Sequence, residues 1–350
     1  MASLQTDPDS SSVPHVFIGG SGSSGSTLLS IILNNHPQVL CGPELSMFNK
    51  VVLYGDFKQV KDKFAEWMHH GVKTNGYFRY YPFCVGLDAY EISREELLQW
   101  LGEADTLRAF LDVFIQTALR RTEAAIFAEK TPSNAYCFPE ILQLFPRAKV
   151  IHLYRDGRDV ICSLRRRGFS WFQASSMWLY NTVAALQSAD DEQYYSLAYE
   201  GLVSHPGEEI RKLCQFLRID YYPEMLETRQ AERLSMGEAS TSWSLNPTAN
   251  RISTSAVGRH RADLTSVGAT AFRRICLSRN AMERLSTNLR TPVDVMESLG
   301  YPTDLPFADT VFSQLELFRE LVADRLYRHL QSLKRLESPE IPFTTLRMVS

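Results

Sequence analysis

The chain lacks several things that would narrow its chemistry at once. Its six cysteines, Cys41, Cys84, Cys137, Cys162, Cys214 and Cys276, form no C-x-x-C pair and no zinc-like spacing, so no metal site is expected. Six cysteines in 350 residues read as reduced, buried thiols rather than a disulfide framework. An excess of either charge is also missing. The formal net charge of −3 gives no global reason to expect nucleic acid or an anionic membrane as a partner. Arg165-Arg166-Arg167 is a local basic cluster that reads as a solvated helix end. No apolar run approaches the roughly 20 residues of a membrane span. Residues 1–14 are polar, without the basic start and apolar core of a secretory signal. A soluble, cytoplasmic protein is expected, with 1–14 as a disordered tail. No internal repeat occurs.

What is present is concentrated near residue 20. Val16-Phe17-Ile18-Gly19 is an apolar run that reads as a central strand. It enters the Gly/Ser loop Gly20-Ser21-Gly22-Ser23-Ser24-Gly25-Ser26-Thr27, and residues 27–35 follow as a helix apolar on most faces. Strand, glycine-rich loop and helix in that order make a cradle in which backbone N–H groups surround phosphate oxygens. The spacing fits G-x-x-x-x-G-K-[ST] except that Ser26 stands where the lysine belongs. A phosphate loop without that lysine argues against ordinary ATP or GTP hydrolysis. The plainer reading is a Gly/Ser turn with no ligand, and the buried helix behind it weighs against that.

Further strands are expected at 39–41, 125–128, 149–154 and 194–199, with helices over 133–145, from 160 onward and over 208–217. Strands alternating with helices predict an α/β fold. The expected architecture is a three-layer sandwich with a central parallel sheet of the P-loop nucleotide-binding type. In such sheets ligands sit beyond the carboxyl ends of the strands, and the polar clusters after Gly19, Cys41, Ala128, Tyr154 and Tyr199 all fall there. One domain is expected over 15–302, with a substrate-side helical insertion at about 45–125 and a C-terminal helical extension over 303–350. The insertion shows helical patterns at 95–100 and 107–120. Its aromatic run at 77–83 either packs a small subcore or lines a substrate pocket.

The phosphate loop, Lys130-Thr131-Pro132 and the run Tyr154-Arg155-Asp156-Gly157-Arg158-Asp159-Val160-Ile161-Cys162-Ser163 together resemble the PAPS-dependent sulfotransferases. PAPS is 3′-phosphoadenosine 5′-phosphosulfate, and its product is PAP. Tyr199-Glu200-x-Leu202, Pro206 and Leu213-Cys214-x-Phe216-Leu217 extend the likeness, which covers residues 15–265. The motif style is nearest to the bacterial and tyrosylprotein branches. The resemblance implies that loop amides from Gly22 through Ser23, Ser24, Gly25, Ser26 and Thr27 hold the 5′-phosphosulfate. It implies that Arg155 and Ser163, eight residues apart, grip the 3′-phosphate that ATP lacks. Arg supplies a planar fork of donors and Ser a hydroxyl. The plainer reading pairs Arg155 with Asp159. Tyr199 is implied on the adenine side, and Val257-Gly258-Arg259 resembles the loop that closes over the 3′-phosphate; a plain surface loop is the alternative.

Glu44, in Cys41-Gly42-Pro43-Glu44, matches the place of the general base in the tyrosylprotein branch, or else is an exposed helix cap. A histidine base stays open among His69, His70 and His152, with His152 inside a strand. Lys130 suits transient contact with a sulfuryl or bridging oxygen, or else pairs with Glu129. The family usually carries Lys or Arg where Ser23 stands. Losing that cation would cost roughly 3 kcal/mol of transition-state stabilisation unless another group replaces it, and Lys130 is the candidate.

The implied function is sulfuryl transfer from PAPS to an acceptor hydroxyl or amine, with no metal required. One alternative is a P-loop nucleotide or small-molecule kinase, which would need the missing loop lysine and a Mg²⁺-holding carboxylate. Another is a nucleotide-binding protein that has lost its chemistry. The acceptor, whether small molecule, carbohydrate, lipid or peptide, is not legible, and neither is the oligomeric state.

Overall fold

The computed structural model describes residues 15–70, 84, 86–227, 252–305, 310–332 and 344–346. The expected tail at 1–14 and the aromatic run at 77–83 lie outside these residues, as do the side chains of His69 and His70.

Five strands form one parallel sheet: β1 (Val16–Gly20), β2 (Val39–Cys41), β3 (Ile126–Lys130), β4 (Lys149–Tyr154) and β5 (Tyr194–Ala198), in the order β2-β3-β1-β4-β5. Strand side chains alternate between faces, so each strand feeds two cores. Phe17, Phe127 and Val150 point into one hydrophobic cluster, while Val16, Ile18, Ala128 and Ile151 point into another. That double burial is why β1 and β4 read as near-continuous apolar runs.

Helix α1 (Ser26–Asn34) covers one face of the sheet, with Leu29 and Ile32 wholly buried. The insertion contributes α2 (Phe57–His70), α3 (Arg94–Glu103) and α4 (Leu107–Arg121), whose Phe110 and Phe114 are buried in the cluster on the other face. After β3 the chain makes a 3-10 turn over Pro132–Cys137 and then α5 (Phe138–Leu144), where a single helix over 133–145 was expected. β3 itself runs two residues past the expected end, so Glu129 and Lys130 belong to the strand.

After β4, α6 (Gly157–Arg166) starts at Gly157 rather than at Val160, with Asp156 as its cap accepting from the Arg158 amide at 2.9 Å. Then comes α7 (Trp171–Leu186), which the sequence pattern did not reveal. Thirteen of its sixteen residues are buried, so it has no polar face to produce a helical period. β5 leads into α8 (Tyr199–Ser204) and α9 (Pro206–Leu217), which share the α1 face; Tyr199 opens α8 instead of ending a strand.

The remaining helices are α10 (His260–Asp263), α11 (Ser266–Arg274), α12 (Arg279–Arg284), α13 (Pro292–Ser298) and α14 (Val311–Ser332). α11 and α14 pack with α7 in a third hydrophobic cluster. The C-terminal segment expected as helical also carries a strand: β7 (Thr344–Leu346) pairs antiparallel with β6 (Ile275–Leu277).

Candidate active site

The loop between β1 and α1 is shaped by a left-handed backbone at Ser23 (φ 70°) and Gly25 (φ 95°). At Gly25 the glycine is also required for space, because a Cβ there would lie 2.5 Å from the Tyr199 ring. No side chain caps α1 and no acid stands in its first turn, so its leading amides are unclaimed by side chains. The Ser23 and Ser24 hydroxyls are buried and lack hydrogen-bond partners. Unclaimed amides and orphaned hydroxyls at a helix N-terminus are a donor set suited to phosphate or sulfate oxygens.

Arg155 leaves the end of β4 and reaches this loop. Its Nη1 donates to the Ser23 carbonyl at 3.2 Å, and its guanidinium lies 4.5 Å from the centre of the Tyr199 ring. Nη2 donates to Asp159 Oδ2 at 3.3 Å and also to the Ala256 carbonyl. Nε is buried and unpartnered. Asp159 in turn accepts the Gly258 amide at 2.7 Å, the His260 amide at 2.8 Å and His260 Nδ1 at 2.7 Å. Burial alone would raise the Asp159 pKa, but the His260 side chain and amide and the Arg155 charge more than offset it and hold it below the usual carboxylate value. The pairing of Arg155 with Asp159 is therefore real, and it coexists with the contact to the loop.

α7 braces both elements from behind. Trp178 Nε1 donates to the Arg155 carbonyl at 3.2 Å, and Asn181 Nδ2 donates to the Gly20 carbonyl at 3.3 Å. Arg158 pairs with Asp156 at 2.8 Å rather than with Asp159.

A second cluster forms where β2 and β3 end. Lys130 Nζ is 2.8 Å from Glu44 Oε1, with the lysine side chain 6% exposed and the glutamate 37%. Glu129 is not the lysine's partner. It lies wholly buried, accepting from the Leu45 amide at 3.0 Å and the Thr131 hydroxyl at 2.7 Å, with Asn134 as a further donor. Burial raises its pKa, against those three donors. Its bonds fix the Glu44-Leu45 turn to the end of β3 and so aim Lys130 at Glu44. Arg167, the C-cap of α6, is exposed, as are its neighbours Arg165 and Arg166. Leu164, one turn earlier, packs 3.9 Å from where a Cβ on Gly22 would lie.

Not every expected residue joins these clusters. Ser163 sits two turns along α6 from Arg155, half-buried, and among the described residues no hydrogen bond joins the two. Arg259 is 3.9 Å from Asp263; burial lowers its pKa, and the neighbouring Arg155 and Arg166 charges lower it further. Among the histidines, His152 is wholly buried in β4 against the Tyr194 hydroxyl at 2.7 Å, with its pKa lowered by burial to about 3.

A family model described as "Sulfotransferase family" matches residues 14–224, which takes in the loop, Glu44, Lys130, Arg155 and Tyr199. The chain belongs to the sulfotransferase family. It is 27% identical over 256 residues to protein-tyrosine sulfotransferase 1 of Danio rerio, covering 67% of this chain and 63% of that one. It is 25% identical over 229 residues to protein-tyrosine sulfotransferase A of Caenorhabditis elegans, covering 62% of this chain and 53% of that one. The chain thus spans between half and two thirds of the length of these two relatives. The sulfotransferase domain of the Synechococcus PCC 7002 olefin synthase shares its fold, with a TM-score of 0.57 at 21% identity, covering 84% of this chain and 96% of that one.

Two parts of this candidate site were not legible in the sequence. The Asp159–His260 clamp joins residues 101 apart. Glu129 resembled a surface partner for Lys130. The only local signal was the position of Glu129 and Lys130 at a strand's carboxyl end.

Proposed function

We propose that this sulfotransferase moves a sulfuryl group from PAPS to an acceptor hydroxyl, or amine, by in-line displacement, with Glu44 as general base. One observation carries the reading. The contact of Arg155 with the phosphate loop and the Glu44–Lys130 ion pair stand at the carboxyl ends of adjacent strands of one sheet. The orphaned Ser23 and Ser24 hydroxyls, the unclaimed α1 amides and the unpartnered Arg155 Nε fit a ligand with phosphate groups at both ends.

The amides and hydroxyls from Gly22 to Thr27 would hold the phosphosulfate. Arg155, Tyr199 and Arg259 would hold the 3′-phosphorylated adenosine, with Ser163 reaching it from α6. When bound, PAPS supplies the sulfuryl group. Lys130 places a positive charge where negative charge grows as the sulfuryl group moves. Glu44 receives the acceptor proton on its carboxylate, which requires it to trade its contact with Lys130 for one with the acceptor. The relatives named as protein-tyrosine sulfotransferases make a tyrosyl peptide the first acceptor to assay.

Labelled sulfate transfer from PAPS to tyrosyl peptides, phenols and sugars tests the proposal, alongside thermal shifts with ligands. PAP should raise Tm where ADP does not. A Mg²⁺-dependent shift with ATP would instead mark a kinase, and tight PAP binding with no transfer to any acceptor would mark a binding protein.

A further inference from the structure

α14 is apolar on two sides. Its inner side is fixed to the fold: Leu317 is buried, Ser313 Oγ accepts from the Thr270 hydroxyl at 2.9 Å, and Glu320 accepts the Trp171 amide at 3.0 Å. Its outer side carries Val311, Phe312, Leu315 and Phe318, between 62% and 74% exposed, and Val322 at 40%. A surface helix ordinarily turns a polar face outward, so an outer apolar stripe on an anchored helix is a surface that needs a cover.

The spacing of the stripe says what covers it. Val311, Leu315, Phe318 and Val322 recur at four, three and four residues, the seam of two packed helices. That spacing is unchanged when the helix is reversed. Laid antiparallel on itself about a two-fold axis, Val311 meets Val322 and Leu315 meets Phe318, so each apolar side chain finds another, and Arg319 lies opposite Gln314 rather than a second arginine. A two-fold contact of this kind needs only one surface. The stripe offers on the order of 500 Å² per copy, and two copies together cover roughly 1,000 Å², the size at which specific interfaces begin. A lipid surface fits less well. Residues 310–323 carry only Glu316, Arg319 and Glu320, without the basic excess that anionic headgroups attract, and Arg319 is already 3.5 Å from Glu316.

We propose that α14 is a homodimer interface, packed antiparallel against α14 of a second copy with Leu315 and Phe318 at its centre. Sedimentation of the full chain between about 1 and 100 µM should give a two-chain mass that dissociates on dilution. L315E and F318E should sediment as single chains at every concentration with Tm unchanged within about 2 °C. Both positions are exposed, so neither charge enters a core. The register is tested by disulfide trapping, since the native cysteines are buried. A V311C/V322C double variant should give a covalent dimer on mild oxidation, because the two positions lie about 16 Å apart within one helix and cannot pair there. V322C alone should not. A wild-type single-chain mass up to 100 µM would overturn the proposal. So would dimers that survive L315E and F318E, efficient cross-linking by V322C alone, or association seen only with lipid vesicles or another protein.

Discussion

Around Arg155, a single carboxylate collects four donors: Asp159 holds the Gly258 amide, the His260 amide and ring, and Arg155 itself, all within 3.3 Å. Around Glu44 the arrangement is sparse: among the described residues it has one polar contact, with Lys130, and its side chain is 37% exposed. The first cluster is set before any ligand arrives, so little reorganisation is needed to grip a phosphate. The second must change partners when a proton moves and must admit an acceptor. Rigidity is concentrated where a ligand would be held and withheld where a bond would be exchanged.

Substitutions at the two ends should therefore separate binding from turnover. The largest effect belongs to the sparse end. Glu44→Gln should lower kcat by about 10³-fold, within the range general bases contribute, while PAP affinity by calorimetry stays within about threefold. A comparable fall in PAP affinity would break the contrast. At the rigid end, Arg155→Ala should weaken PAP about 100-fold, the loss expected for a charge-assisted contact, with kcat at saturating PAPS changed less than tenfold.

A smaller effect concerns the floor shared by both ends. His152 is neutral in the fold because burial depresses its pKa to about 3, and His15 is likewise lowered to about 4. An unfolded histidine takes up a proton below about pH 6.5, so the unfolded state binds more protons there and stability falls as pH drops from 6.5 toward those values. Urea midpoints should show a loss of roughly 2 kcal/mol per histidine between pH 7 and pH 5, and His152→Gln should remove about half of that slope. Asp159 acts in the same sense over a lower range: its depressed pKa stabilises the fold at neutral pH, and that contribution is lost only as pH falls below the ordinary carboxylate range. The smallest change is a gain. Ser23→Arg should raise kcat about tenfold if charge at the sparse end is limiting, and an unchanged kcat would show that Lys130 already suffices.

What could be read from the sequence was local. β1 with its loop and α1, and β4 with Arg155, are each written within about fifteen consecutive residues as an apolar run followed by a polar turn. The strand ends were off by a residue or two because Glu129 and Lys130 are polar yet buried, and Tyr199 is apolar yet helical. α7 stayed hidden because a helix enclosed on all sides has no periodicity. That omission matters most for the site, since Trp178 and Asn181 on α7 hold the backbones of Arg155 and Gly20 in place. The Arg155–Asp159 pair was legible, four residues apart, but the Glu44–Lys130 pair and the Gly258 and His260 contacts of Asp159 were beyond reach for a different reason: each depends on the tertiary fold, which brings distant segments together.

The contact between Gly25 and Tyr199 sets apart two loop positions that look alike in the sequence. Position 25 is walled in by an aromatic ring 2.5 Å from any added methyl group, so a lineage that changed it would lose the shape of the turn itself. The Ser23 hydroxyl is buried with no hydrogen-bond partner, so the fold takes no hydrogen bond from that side chain, although its left-handed backbone restricts what fits there. The shape of the turn is therefore held by what position 25 lacks, and no hydrogen bond of the fold is held by what position 23 carries.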